Sequence, residues 1–312
     1  MMIHLGYVSI SQTLNITSSK TITYTEFNKY NDYDKLNKII IDNLTNLDKI
    51  IDYNIKNKIH FYRLTSKLIP LATHSEIKFD YIDKYKDLYK KIGNKINKYN
   101  LRIDSHPDQF CVLNSTKKEI VENSINILKY HYNILKALNI KNKIIILHIG
   151  SSVLGKQNSI KRFINNFNKL PKNIQKCIAI ENDDKIYNIK DCLELCETLN
   201  IPMVLDYHHH ICNNDNLNID NYLERIFNTW TNLPPKIHFS SPKNKTKKEF
   251  RSHHDYIDIN DFLNFLEKIK HYNTNLDIML ECKKKDEALF KLVRQLKYHN
   301  YKFIDDTTIK LN

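Results

Sequence analysis

The chain is predicted to be α/β, one domain over residues 1–312 folded as a (β/α)8 barrel. Eight short apolar runs alternate strictly with eight longer amphipathic ones, and nearly every apolar run stops at an imidazole or a carboxylate. Strict alternation implies parallel strands joined by right-handed crossovers, and eight such units close a barrel. An open doubly wound sheet is the other arrangement that alternation allows. It is disfavoured because no Gly-x-Gly-x-x-Gly follows the first run and the whole chain has four glycines.

Taken in order, the strand candidates are 3–8, 59–64, 101–105, 143–148, 177–181, 202–206, 235–239 and 277–281. Each is a short apolar run of the kind that a buried parallel strand requires. Helical periodicity is expected over 34–54, 80–98, 117–139, 157–170, 188–199, 218–232, 260–270 and 285–299. Asp34, Thr116, Asn188 and Asn218 are the expected N-caps. The basic, polar stretch 242–254 is expected to form a long mobile loop after the seventh strand. No internal repeat or linker interrupts the pattern.

Composition bounds the function. A chain of 312 residues with 41% hydrophobic content buries a large core, which excludes disorder. A net charge of +13 favours a polyanionic partner, nucleic acid before membrane, because no stretch is apolar and long enough to span a bilayer. Part of the lysine excess solvates helix faces, and heavy use of Lys, Asn and Ile also fits an A/T-rich genome. The first twenty residues lack a secretory pattern, so an intracellular home is expected, whether cytoplasm, host nucleus or viral compartment. Six cysteines form no C-x-x-C pair; Cys192 and Cys196 stand at helical spacing, and buried free thiols are expected.

The C-terminal ends of barrel strands form the active face. Tyr7 ends strand one, His74 follows strand two, His106 follows strand three and His148 ends strand four. Glu181 ends strand five, Asp206 with His209 ends strand six, His238 lies in strand seven with His253 beyond it, and Glu281 ends strand eight. A lone histidine is more often a hydrogen-bonded core residue than a ligand, but five or six at equivalent strand ends reverse those odds. Burying Asp206 among imidazoles costs several kcal/mol unless a cation pairs with it, about the scale for an uncompensated polar group. His74, His106, His148, Glu181, Asp206, His209, His238, His253 and Glu281 are therefore the candidate metal ligands. Spacing does not fix which of His208, His209 and His210 ligates. Mixed nitrogen and oxygen donors suit Mn²⁺, Zn²⁺ or Fe²⁺, and this many ligands implies two or three ions. Clustered divalent metals are typical of phosphodiester hydrolysis.

The strings that carry this pattern are Tyr-Arg-Leu-Thr-Ser-x-x-Ile-Pro-Leu-Ala-Thr-His74, Ser-His106-Pro-Asp-Gln-Phe, Leu-His148-Ile-Gly, Ile-Glu181-Asn-Asp-Asp-Lys, Asp206-Tyr-His-His209, Pro-Lys-Ile-His238-Phe-Ser-Ser, Arg-Ser-His253-His-Asp-Tyr and Met-Leu-Glu281-Cys-Lys-Lys-Lys-Asp. In number and order they resemble the UV-damage endonucleases, from Leu5-Gly6-Tyr7 nearly to the last helix. The resemblance implies a TIM barrel similar to endonuclease IV, holding two or three divalent metals, Mn²⁺ first. It implies nicking immediately 5′ of ultraviolet photoproducts in double-stranded DNA, by a monomer. It also points to His209, the third residue after Asp206, and to lesion contacts from Tyr7, Gln109 and Phe110. Two turns depart from the pattern: Gly-Ser-Ser-Val-Leu-Gly follows His148, where relatives tend to carry a second glycine and an aromatic, and Val-Ser-Ile-Ser follows Tyr7.

Gln109 and Phe110 follow the ligand His106, and the resemblance, not the residues alone, implies that they wedge into the base stack at a lesion, where unstacking costs least. The competing expectation is that Phe110 packs with Cys111 and Val112. Lys243, Lys245, Lys247 and Lys248 are expected to meet phosphates without reading sequence. Glu181, Glu281 and Lys236 are expected to carry the chemistry. Lys236 shares a strand face with His238, where desolvation lowers an amine's pKa and a neutral amine can add CO₂ to become a carbamate; the ordinary cation is the alternative. A metal-dependent sugar isomerase, an abasic-site endonuclease of the endonuclease IV type and a nuclease-dead DNA-binding protein are the other functions considered.

Overall fold

The computed structural model describes residues 1–246 and 248–311. Eight parallel strands follow the expected runs: β1 (Met2–Tyr7), β2 (Phe61–Leu64), β3 (Arg102–Ser105), β4 (Ile144–His148), β5 (Ile178–Glu181), β6 (Met203–Asp206), β7 (Lys236–Phe239) and β8 (Leu276–Leu280). They pair in chain order from β2 to β8, and β8 pairs with β1 from Ile3↔Leu276 to Tyr7↔Leu280. A parallel bridge between Val8 and Arg63 links β1 to β2, with the Ser9 N–H donating to the Arg63 carbonyl at 3.2 Å. Below that bridge, β1 pairs antiparallel with β10 (Thr308–Lys310), which pairs in turn with β9 (Lys302–Phe303). The fold is a (β/α)8 barrel of the TIM type whose first strand is shared between two partners on one edge.

Alternation divides each strand between two environments. Ile145, Leu147, Ile178, Ile180, Met203, Leu205, Ile237 and Ile278 belong to one large apolar cluster with the helix stripes, including Leu36, Ile40, Leu44, Leu47 and Ile51. That spacing of three and four residues is what one buried face of a helix requires. The intervening strand residues meet across the barrel. Lys236 on β7 reaches Asp104 on β3, Arg102 on β3 meets Asp277 on β8 at 2.6 Å, and Arg63 on β2 meets Glu281, just past β8, at 2.7 Å. β3 is not a neighbour of β7 or β8 in the sheet, so those two contacts run through the interior. The barrel interior combines these ion pairs with two small apolar clusters, Val8, Phe61 and Met279 on one side and Ile144, Ile146, Ala179 and Val204 on the other.

The helices lie where periodicity places them, with local corrections. The expected 34–54 helix is Tyr33–Lys56, and Asp32, not Asp34, caps it by accepting from the Lys35 N–H at 2.8 Å. Thr116 caps nothing; the helix Lys118–Ala137 begins after Lys117 with no side-chain cap. Asn188 forms a reciprocal capping box with Asp191, and Asn218 caps a 3₁₀ turn at Ile219–Asn221. The expected 218–232 helix is broken into that turn and Leu223–Asn228. Helices at Tyr24–Tyr30 and Tyr207–Cys212 were not expected. All six cysteines are free thiols. Among the described residues, no helix is long and apolar enough to cross a membrane.

Candidate metal centre

Glu181 ends β5 fully buried and stands at the centre of the functional face. Its Oε2 meets His106 Nε2 at 2.8 Å and lies 3.8 Å from His148 Nε2, while its Oε1 meets His238 Nδ1 at 2.7 Å and lies 3.8 Å from His209 Nδ1. Two donor groups result, His106 with His148 and Glu181, and Glu181 with Asp206, His238 and Glu281, each with its donor atoms within 4.8 Å of one another. Glu181 is common to both. A carboxylate shared in this way is the natural bridge of a two-metal site.

Local structure aims the remaining donors. The Asp206 carboxylate caps the short helix Tyr207–Cys212 by accepting from the His209 N–H at 2.7 Å, which turns His209 back to 3.6 Å from Asp206 Oδ2. His209 Nδ1 also contacts the Asn182 carbonyl at 2.9 Å, and His106 Nδ1 contacts the Pro107 carbonyl at 2.8 Å. Carbonyls can only accept, so each ring is held with its Nδ1 protonated, the outer-shell arrangement usual for metal-bound histidine. His208 is spoken for: its Nε2 donates to the Phe250 carbonyl at 2.8 Å and its Nδ1 accepts from Ser240 at 3.0 Å. Of the three consecutive histidines, His209 is the one that reaches the carboxylates.

Most of the donors stand in the protonation states of metal ligands. For Glu181, burial pushes the carboxyl upward, but His238, His148 and the hydrogen bond from His106 override it and hold it well below the usual carboxylate range. In Glu281 burial is overridden by the Arg63 guanidinium, again downward. Burial drives the imidazoles the other way, His238 to about 4 and His148 and His253 below the ordinary histidine value. Asp206 is raised by burial and by the nearby charges of Glu181 and Glu281. Ionised Glu181 and Glu281 beside neutral His148, His238 and His253 are ready to bind a divalent cation. Asp206, raised to about 8, and His209, raised to about 9 by Asp206 and Glu181 against its burial, each hold a proton at neutral pH that an incoming ion would displace. Asp206 Oδ2, fully buried, has no hydrogen-bond partner among the described residues, which leaves an electron pair that an ion would satisfy.

Not every expected residue joins the cluster. His74 stacks on Tyr24 with ring centroids 4.0 Å apart and belongs to neither donor group. His253 sits at the rim, 4.0 Å from Glu281 Oε2. Tyr7, expected at the lesion surface, is instead fully buried, its hydroxyl donating to Asn54 at 2.8 Å, because its strand position faces the helices. Phe110 is 66% exposed and Gln109 is exposed beside it, so Phe110 does not pack beneath its loop. Lys236 is fully buried against Asp104, and burial holds its amine well below the usual lysine value. The loop after β7 is joined at its base by the antiparallel Pro242–His253 bridge. Lys243, Lys245 and Lys248 are exposed on that loop, and Lys247 lies outside the described residues. Arg63 was missed: its Nη2 lies 2.5 Å from His238 Nε2 while Nη1 holds Glu281.

A family profile described as UV-endonuclease UvdE matches residues 3–312. The chain belongs to the UV-endonuclease UvdE family. The UV DNA damage endonuclease of Bacillus cereus strain B4264 is 44% identical over 303 residues, 95% of either chain. The crystal structure of SacUVDE superposes with a TM-score of 0.87 at 36% identity, covering 96% of this chain and 99% of that one. Endonuclease IV from Thermus thermophilus is alike in fold alone, with a TM-score of 0.54 at 11% identity over 81% of this chain and 94% of that one.

Proposed function

We propose that the protein is a metal-dependent DNA repair endonuclease that hydrolyses the phosphodiester immediately 5′ of ultraviolet photoproducts, both pyrimidine dimers and 6-4 photoproducts, leaving a 3′-hydroxyl and a 5′-phosphate. The observation that carries this is Glu181, shared between two donor groups in a chain of the UV-endonuclease UvdE family. His106, His148 and Glu181 would hold one ion; Glu181, Asp206, His238 and Glu281 would hold another, with His209 and His253 completing the set. Two or three divalent ions, Mn²⁺ before Zn²⁺ or Fe²⁺, supply a hydroxide near neutral pH and neutralise the attacked phosphate. His74 stands outside both groups, and its stack on Tyr24 leaves the ring Nε2 open to serve as a further ligand.

The chain's own groups do the positioning. Arg63 fixes Glu281 and His238 relative to one another, and Lys236 with Asp104 forms the floor beneath them. Burial and the Arg102 guanidinium lower the Lys236 amine, the condition under which it can add CO₂ to become a carbamate, while the Asp104 carboxylate against it favours the ordinary ammonium. Gln109 and Phe110, exposed next to His106, are placed to enter the stack where a damaged pair is expelled, and the exposed lysines after β7 to meet phosphates. The enzyme would act on double-stranded DNA as a monomer, and the bacterial origin of the Bacillus relative favours a cytoplasmic setting over a host nucleus or viral compartment.

The test is incubation with Mn²⁺ and a duplex carrying one cyclobutane dimer, one 6-4 photoproduct or neither. The expected product is a nick immediately 5′ of the lesion with a ligatable 3′-hydroxyl. Equal cutting of the undamaged duplex would refute damage specificity, and no affinity for any duplex would favour a sugar-directed enzyme on the same barrel. Cleavage of an abasic duplex alone would favour the endonuclease IV type of activity.

A further inference from the structure

The loop after β4 carries two exposed apolar side chains, Val153 at 53% and Leu154 at 71%. Leu154 has φ 65°, the left-handed region, which costs a non-glycine residue about 1–2 kcal/mol. Its exposure means that packing returns little of that cost. Glycine would hold the same backbone without strain. Leu154 is the third residue of the turn that the Gly155 N–H closes on the Ser152 carbonyl at 2.9 Å, a position that fixes its backbone but leaves its exposed side chain without a packing role.

The loop is also held rigid. The Val153 carbonyl accepts from Arg162 Nη2 at 2.5 Å and from the Ser159 hydroxyl at 3.0 Å, and the Leu154 carbonyl accepts from Asn158 at 2.9 Å. Earlier in the loop, the fully buried Asn114 donates to the Ser151 carbonyl at 2.6 Å and accepts from the Ser151 N–H at 2.9 Å. Asn114 belongs to the loop that follows β3, which also presents Gln109 and Phe110. Gly150, at φ 106°, lets the two loops close on one another, since a Cβ there would meet Asn114 Oδ1 at 2.9 Å. The two loops are therefore one rigid unit, and the cavity of about 370 Å³ they border reaches His106 and His148 and, on its third wall, the exposed Lys185.

We propose that Val153 and Leu154 form a second apolar prong on the same rigid loop pair as Phe110, and that the two prongs together press against a distorted DNA duplex bound at the metal centre. The proposal rests on the DNA-directed function above and adds a contact to it. Apolar side chains presented on a rigid loop can press against base and sugar faces opened at a lesion without an ordering cost on binding. The lysine-rich surface brings the duplex close, and the two prongs register it.

Leu154→Gly separates this role from a structural one, because it removes the side chain and relieves the strain together. Single-turnover nicking of a duplex with one cyclobutane dimer, over a range of enzyme concentrations with Mn²⁺, gives the half-saturating concentration and the limiting rate. In Leu154→Gly and in Val153→Ser the half-saturating concentration is expected to rise about tenfold, with the limiting rate within a factor of two of the parent, about the scale for losing one stacked contact. The melting temperature of Leu154→Gly should equal or exceed that of the parent. Unchanged half-saturation in both variants would overturn the prong while leaving the endonuclease function intact, and a lowered melting temperature for Leu154→Gly would assign Leu154 to packing instead. A parent protein that neither binds nor nicks the damaged duplex would overturn the function itself, and the prong with it.

Discussion

At the scale of single residues, the centre depends on where each charge can find a partner. Glu181 touches both donor groups, so Glu181→Gln should remove a bridging ligand without changing side-chain volume. Bound metal, measured by elemental analysis, is expected to fall, and nicking to drop at least about a hundredfold, while damaged-duplex affinity stays near the parent value. Near-parental nicking would exclude Glu181 as a ligand. Phe110→Ala should narrow the affinity ratio between damaged and intact duplex by about tenfold with metal content unchanged; an unchanged ratio would leave the exposed ring without a role. The histidines and carboxylates that meet at Glu181 were legible in the sequence as candidate ligands because each lies in, ends or follows a strand. Arg63 and Asp104 were not, although the rule that placed Lys236 beside His238 also applies to them. Arg63 lies two positions beyond Phe61 and Asp104 two beyond Arg102, so each shares a strand face with a residue inside the barrel. Tyr7 shows the same rule in reverse: one residue past an inward position, it turns to the helices.

At the scale of elements, strands and long helices could be read from their periods, and the misses have physical causes. β9 and β10 are two and three residues long, too short to show a period, and the helix Tyr207–Cys212 was hidden because its three histidines look like a ligand loop. The loop after β1 depends on one side chain far along the chain. Asp286, near the start of the last helix, accepts from the Ser11 hydroxyl at 2.7 Å, the Gln12 N–H at 2.6 Å and the Tyr53 hydroxyl at 3.0 Å. Burial pushes its carboxyl upward, but these donors, with Thr13, override it and hold it below its ordinary value of 3.8. A carboxyl lowered by folding contributes stability above its unfolded pKa and loses it as pH falls through its folded value. Asp286→Asn should therefore cost about 1–3 kcal/mol at neutral pH in urea unfolding, and the gap to the parent should narrow below about pH 4. A gap that is constant with pH would mean that the charge contributes nothing.

At the scale of the whole molecule, the donors are scattered: Glu181 and His106 lie 75 residues apart, Glu181 and His238 57 apart, and Glu281 follows the last barrel strand. No partly folded chain holds both donor groups, because the second needs β8 already docked between β7 and β1. Metal can then act only on the late side of the folding barrier. Stopped-flow refolding should proceed at the same rate with Mn²⁺ or with chelator, whereas unfolding should slow by the full factor that metal adds to equilibrium stability. A metal-dependent refolding rate would place an assembled site in the transition state. If the rate is instead unchanged, ion capture is the last event of maturation, and a chain that has taken up its metals has thereby completed its barrel.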